Sequence, residues 1–252
     1  MTWSNPLRST IALFRSKWYA IGLGVAMLSW GLHVAALSLA PISLVQSIIA
    51  GGLVFVTILA DRMFGMHVSR REWIGVGLMA AGLAFLAATL KGTAGSAHSD
   101  WDTPTLAAYV GGATLIGTIL VVIARGHRIE GLWLAASAGV LWGASDIAIK
   151  ALSDRLGDLG AGVLIHPLAF VILGLSLYGL LVSGRSLQIA DAVPVIAITS
   201  ALANIVTIAS GPIVFSEPLP HDTLGLALRI VAFVLVIAAT ALTPPRVQEA
   251  PA

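Results

Sequence analysis

Apolar residues arrive along this chain in blocks of roughly 20, each bounded by a short segment carrying Lys, Arg, Asp, Pro or Gly; at 1.5 Å per residue such a block spans about 30 Å of hydrocarbon. The pattern therefore predicts membrane spans, near 17–40, 42–63, 72–90, 104–124, 131–153, 160–183, 189–215 and 222–243. The expected fold class is all-α, a polytopic membrane helix bundle of about eight spans. Pro41 makes a tight corner between the first two spans, and Lys91 to Thr103 is the longest loop. The tail from Pro244 to Ala252 is expected to be disordered. Arg8, Arg15 and Lys17 precede the first apolar run as in a signal peptide, but the run from Trp18 to Ala40 is too long for a cleaved segment and leads directly into another span, so it reads as the first retained helix.

Composition agrees and removes several functions. Of the 252 residues 58% are hydrophobic and 10% charged, with a mean hydropathy of +0.95, whereas soluble proteins carry about 25% charged residues. Cysteine is absent, which excludes disulfides, thiolate metal sites and cysteine nucleophiles. The pI near 9.3 comes from basic residues dispersed over loops, so nucleic acid is not an expected partner. No HExxH helix, paired-aspartate site or Ser/His/Asp constellation is present, so the chain is not expected to be an enzyme, and no metal site or cofactor is expected.

Charge also orients the spans. Alternating the loops places Arg8, Arg15, Lys17, Arg62, Arg70, Arg71, Arg125, Arg128, Arg185 and Arg246 on one side, and only Lys91, Lys150, Arg155 and Arg229 on the other. The positive-inside rule makes the crowded side cytoplasmic, with both termini there and the protein multi-pass in the plasma (inner) membrane. Spans one to three resemble spans six to eight: Ser38-Leu39 matches Ser186-Leu187, Gly75 matches Gly225, and Ala87-Ala88-Thr89 matches Ala238-Ala239-Thr240. An offset of five spans inverts one set relative to the other, as in many secondary transporters. The expected organisation is a first half over 1–103, a linking span over 104–124 and a second half over 131–243.

The polar residues inside spans fall toward one side. Counted along their helices, His33, Asp146 and Asn204 lie roughly 22 to 24 Å from the cytoplasmic ends, and Gln46, His166 and Arg229 about 6 to 11 Å from the outer ends. An outward-facing polar chamber above an apolar plug is expected. Asp146 reads either as a coupling or substrate-binding carboxylate or as one half of a structural ion pair with Lys150, one helical turn on. Trp142 with Gly143 offers an aromatic wall or plain packing. Ser200, Asn204, Thr207 and Gly211 form a narrow stripe that lines a pathway or glues helices. His33 with Ser29 and Gln46 with Ser43 are shorter stripes of the same kind, and His166, ahead of Pro167, caps an irregular helix start. Glu217 is expected to pair with Arg229 as an outer clamp or gate.

The stretch from Ala35 to Gln46 (AALSLAPISLVQ), then Ser69 to Gly75 (SRREWIG), Trp142-Gly143 and Phe215-Ser216-Glu217-Pro218-Leu219 resemble the drug/metabolite transporter (EamA-like) superfamily, in particular its bacterial branch similar to magnesium-transporter-like, NIPA-type proteins. The resemblance implies nine or ten spans in two inverted halves and transport of a metabolite, drug-like solute or, in one branch, a divalent cation. Against that pattern the first one or two helices are expected to be missing, through a truncated start or as a shortened variant, and Gly65-Met66-His67-Val68 stands where the first half would carry a Gly-Glu feature. The functions in play are a secondary transporter of a small solute, a non-transporting partner or scaffold of an envelope-lipid enzyme, and a magnesium transporter. The expected partners are the bilayer and a small-molecule solute, with a homodimer left open.

Overall fold

The computed structural model describes residues 17–49, 51–52, 70–89, 100–220 and 222–242. The expectations for Arg62, Gly65 to Val68, Lys91 and the tail lie outside the described residues. All the described regular structure is helical: α1 (Lys17–Leu39), α2 (within 42–52), α3 (Arg70–Thr89), α4 (Thr103–Ala124), α5 (Glu130–Ser153), the short α6 (Leu156–Leu159), α7 (Pro167–Ile189), α8 (Ala192–Val214) and α9 (Thr223–Leu242). The chain is thus an all-α membrane bundle, and α4, α5, α7 and most of α8 are long and apolar enough to cross a bilayer. It divides into two compact units, Met1–Ala36 and Leu37–Ala252. The described part of the first is the body of α1, exposing Ile21, Val25, Leu28 and Leu32.

The second unit is organised around α5. Some 72% of its spanning stretch is buried, against 22%, 17% and 28% for α4, α7 and α8, so α5 is the central rod and the others are its wall. The sequence accounts for this directly. Gly131, Ala135, Ala138, Gly139, Gly143, Ala144 and Ala148 leave α5 thin, and thin helices let neighbouring backbones approach where lipid supplies no hydrophobic drive for association. A Cβ on Gly139 would stand 2.5 Å from the Thr199 carbonyl oxygen, and one on Gly143 2.8 Å from Val206 Cβ, so this Gly-x-x-x-Gly face is the contact with α8.

Small hydroxyls tie the wall to the rod. Ser137 Oγ donates to Gly117 O of α4 at 2.7 Å, Ser186 Oγ of α7 donates to Gly131 O at 2.7 Å, and Thr199 Oγ1 of α8 donates to Ala135 O at 3.1 Å. Each such bond contributes about 0.6 kcal/mol on average inside a membrane, so their joint effect is chiefly to fix helix rotation. The outer faces carry Leu115, Ile119 and Val122 on α4, and Phe170, Leu173, Leu177 and Leu181 on α7, all exposed as lipid-facing residues are. The α3–α9 pair packs through Gly82, whose position lies against Ala232 and Val236, and through Leu86, with Leu44 of α2 against the same cluster.

Helix starts follow local chemistry. Asp102 caps α4 by accepting the Thr105 N–H at 2.9 Å, a bond that holds its carboxyl below the usual carboxylate range. His166 Nδ1 accepts the Leu168 N–H at 3.2 Å ahead of Pro167, the capping role its sequence position suggested. The sixth span differs in register from 160–183: residues Gly160–Ile165 form a 3₁₀ turn and the α-helix runs from Pro167 to Ile189. Proline favours the first helical position, and it overrides the apolar run preceding it.

Loop contacts fix which helix ends lie together. Arg155 after α5 sits over the Trp101 ring before α4 at 5.1 Å, so those two connections share one end of the unit. The α4–α5 and α7–α8 connections meet at the other end, through Ser186 and Gly131. Replacing Gly139 or Gly143 with Leu should lower stability by roughly 1–3 kcal/mol through overpacking. Gly111→Leu, on an exposed face with no atom within 4 Å of its added Cβ, should leave the thermal midpoint in detergent unchanged. Equal midpoints for all three variants would show that the α5–α8 approach does not limit packing.

Candidate functional site

Two clusters gather Ser43, Glu217, Lys150 and Arg229 in one case and Gln46 and Asp146 in the other, and both involve the start of α2. The first lies at the Ala40–Pro41 corner. α1 ends at Leu39 and α2 begins at 42, so the last carbonyls of one helix and the first N–H groups of the next are left without intrahelical partners. Lys150, fully buried, donates from Nζ to Leu37 O and, at 3.0 Å, to Ala40 O. Glu217, 6% exposed, accepts the Ser43 N–H at 3.2 Å and the Ser43 hydroxyl. A cation thus sits at the negative end of α1 and an anion at the positive end of α2, where each favourable charge–dipole contact is worth up to about 2 kcal/mol when partly buried.

Local backbone geometry brings Glu217 there. Ser216, just past the end of α8, has φ 52 in the left-handed region. The chain folds back so that Glu217 N–H donates to Gly211 O at 3.1 Å. The Glu217 carboxylate then packs against Gly211, in space that a Cβ at that position would fill. Arg229 of α9 donates from Nη1 to Pro218 O. Glu217 is close enough to act electrostatically on both Arg229 and Lys150. The expected Glu217–Arg229 pair therefore sits in a larger arrangement, in which the carboxylate accepts from Ser43 and the guanidinium donates to the carbonyl of Pro218.

The second cluster is one turn further along α2. Gln46, 4% exposed, donates from Nε2 to Asp146 Oδ2 of α5 at 3.0 Å. Asp146 is half-buried, while its neighbours Ser145 and Ile147 are buried. Ser145 Oγ lies 3.0 Å from Ser176 Oγ of α7, and the Trp142 ring packs over Gly179 of α7. On α8, Asn204 and Thr207 are buried, and Thr207 Oγ1 turns back to Ala203 O and Asn204 O of its own helix. Ser200 is half-buried, and its neighbour Thr199 makes the interhelical bond. His33 is half-buried in the first unit. Among the described residues no group of three or more His, Cys, Asp and Glu comes together to hold a metal ion.

The structure thus joins Asp146 to Gln46, and Glu217 to Ser43 within reach of Lys150 and Arg229. Ser43 is the residue whose weight the sequence understated. The signal was available, since a Ser in the first turn after a Pro-started helix offers N–H and hydroxyl donors to a carboxylate.

Against known proteins, 88 residues of this chain, 34% of it and 75% of the relative, are 28% identical to a protein of Pseudomonas fluorescens described as a probable 4-amino-4-deoxy-L-arabinose-phosphoundecaprenol flippase subunit, ArnE. No family model matches the chain, and no solved structure matches it. The similarity agrees with a membrane protein of the drug/metabolite-transporter type and gives no support to the magnesium-transporter-like branch.

Ser43→Ala and Lys150→Met should each cost about 1–3 kcal/mol, because each leaves a buried polar group without its partner. In SDS-titration unfolding, Ser43→Ala and Glu217→Gln should couple by about 0.5–3 kcal/mol when combined. Strictly additive losses would mean that the two side chains act independently.

Proposed function

We propose that this chain is an integral membrane transporter of the flippase and secondary-carrier kind, moving a small or lipid-linked solute by alternating access between inverted halves over 1–103 and 131–243. The observation that carries the reading is Asp146, a half-buried carboxylate on the most buried helix, held by Gln46 from a helix of the other half. A carboxylate within a span costs several kcal/mol unless it is paired, protonated or hydrated, and such residues mark solute or proton pathways by default. The Gln46 amide can hold the acid in either protonation state, donating from Nε2 to the ionised form or accepting with Oε1 from the neutral one. Asp146 is assigned the coupling role, Asn204, Thr207 and Trp142 the flanking polar and aromatic lining, and Lys150, Glu217 and Arg229 the clamp that closes one end.

The inverted repeat draws support from the matching corners. α1 and α2 are separated by residues 40–41, and α7 and α8 by residues 190–191, a two-residue break in each half. The α3–α9 pairing joins the third helix of each set. Similarity to a flippase subunit supports the transporter class, and the phosphate-linked lipid in that relative's name suggests amphipathic cargo. The Lys and Arg excess of the loops supports an inner-membrane protein with both termini cytoplasmic. A second reading, a non-transporting subunit of an envelope-lipid assembly, draws on the relative's description as a subunit.

In proteoliposomes carrying a head-group-labelled phospholipid, the protein should accelerate leaflet exchange above the protein-free rate. Asp146→Asn should lower that rate about 10- to 100-fold, as losing a charged hydrogen bond worth roughly 1.5–3 kcal/mol implies, with helicity retained. Wild-type exchange no faster than bare vesicles, with a second membrane protein co-purifying, would replace transport by the subunit reading.

A further inference from the structure

At the end of the second unit where the α4–α5 and α7–α8 connections meet, a cavity of about 740 Å³ opens to the surface. Its functional groups are His127 and Arg128 from the α4–α5 connection, Glu130 at the start of α5, Arg185 and Gln188 from the last turns of α7, and Asp191 from the α7–α8 connection. The two sides are braced. Ser186 Oγ donates to Gly131 O at 2.7 Å, Gly131 packs directly on Ala190, and the His127 ring stacks on Trp133 at 6.3 Å between centroids. Gly126, at φ 76, makes the turn that carries His127 and Arg128 to the cavity wall. Asp191 stands at the N-cap of α8, where its side chain makes no capping hydrogen bond.

The charges decide what fits. Two Arg and two acidic residues line one open cavity, a balanced set of charges. A simple anion would meet as many acids as bases, and so would a simple cation. A compound bearing both charges uses the whole lining: a phosphate takes charge-assisted bonds from Arg128 and Arg185, and an ammonium donates to Glu130 and Asp191. The cavity lies at the ends of spanning helices, and its rim includes Ile129 and Ile189, both exposed, where acyl chains would lie. We infer that this cavity binds a head group carrying a phosphate and a primary amine, presented by a lipid at the membrane edge. It goes beyond the transport reading and does not require it.

The test is lipid retention by the full-length protein in mild detergent, read by native mass spectrometry after equimolar addition of phosphatidylethanolamine, phosphatidylcholine and phosphatidylglycerol. Phosphatidylcholine lacks the N–H donors and phosphatidylglycerol lacks the amine, so phosphatidylethanolamine should be retained about tenfold over either. Arg128→Ala with Arg185→Ala should reduce its retention about tenfold. Asp191→Asn, which keeps a residue suited to the N-cap, should erase the preference over phosphatidylglycerol while leaving phosphatidylglycerol bound. Its thermal midpoint should match wild type, so the inference stays testable even if the double Arg variant misfolds. Soluble phosphoethanolamine that displaces the lipid would assign the same chemistry to a free compound, and failure to displace it would assign the site to the lipid. Equal retention of all three lipids by wild type, or a folded double Arg variant that binds as wild type does, would overturn the inference. Because no flux is read, failure here leaves the transport reading standing, and failure of flux leaves this one standing.

Discussion

The bundle depends on how a broken helix is finished inside a low-dielectric environment. Between Leu39 and residue 42 the chain abandons one helix and starts another, exposing carbonyls and N–H groups that water would otherwise satisfy. Lys150 and Glu217 supply what water would. Each is a charge that would be costly to bury alone, and each meets a helix end of opposite polarity. The arrangement joins residues from the ends of α5 and α8 to the α1–α2 corner, so three distant parts of the chain are fixed by one electrostatic requirement. A buried Lys and a buried Glu at this corner both bind backbone groups: Lys150 the Leu37 and Ala40 carbonyls, and Glu217 the Ser43 N–H.

Around that corner, packing follows from side-chain size more than from hydrophobicity. Every span is apolar, so apolarity cannot decide which helix lies in the middle. Glycine and alanine at four-residue spacing on α5 do decide it, because a thin helix can be approached from several sides at once. The serine and threonine hydroxyls that cross from helix to helix then remove rotational freedom that apolar contacts would leave. The bulky Leu, Ile and Phe residues go where nothing restricts them, on the outward faces of α4 and α7.

Much of this was legible in the sequence. Block length and charge punctuation identify a membrane helix bundle, because hydrocarbon thickness imposes a length that no other constraint imitates. The start of the sixth span was not legible, since residues 160–165 are as apolar as a span while Pro167 sets the first helical turn. Among the candidate residues, depth along a helix placed Gln46 and Asp146 in one half of the membrane, and the structure bonds them. Partners from distant parts of the chain were beyond reach. Spacing of four along α5 offered Lys150 to Asp146, but such spacing reports only what one helix can offer itself, and the bonds of Lys150 to the Leu37 and Ala40 carbonyls lie outside that horizon. Glu217 was expected beside Arg229 across a short loop, and it also accepts from Ser43, 174 positions away, which no local spacing announces.

The two clusters share an element, and this constrains any motion the protein makes. Ser43 and Gln46 are three residues apart on α2, one held by Glu217 and the other bonded to Asp146. Shifting α2 relative to both α5 and the segment after α8 therefore stretches the Gln46–Asp146 bond and the capping of the α2 N-terminus by Glu217 together. Either bond alone resists only weakly, but breaking the second exposes helix-end N–H groups that must find another acceptor, in lipid or in water. Admission of water to the corner would lower that cost by hydrating the freed groups. A rearrangement of α2 is thus energetically tied to hydration of the end where Lys150, Glu217 and Arg229 gather. Such linkage needs no long-range pathway, because a single turn of α2 carries both contacts.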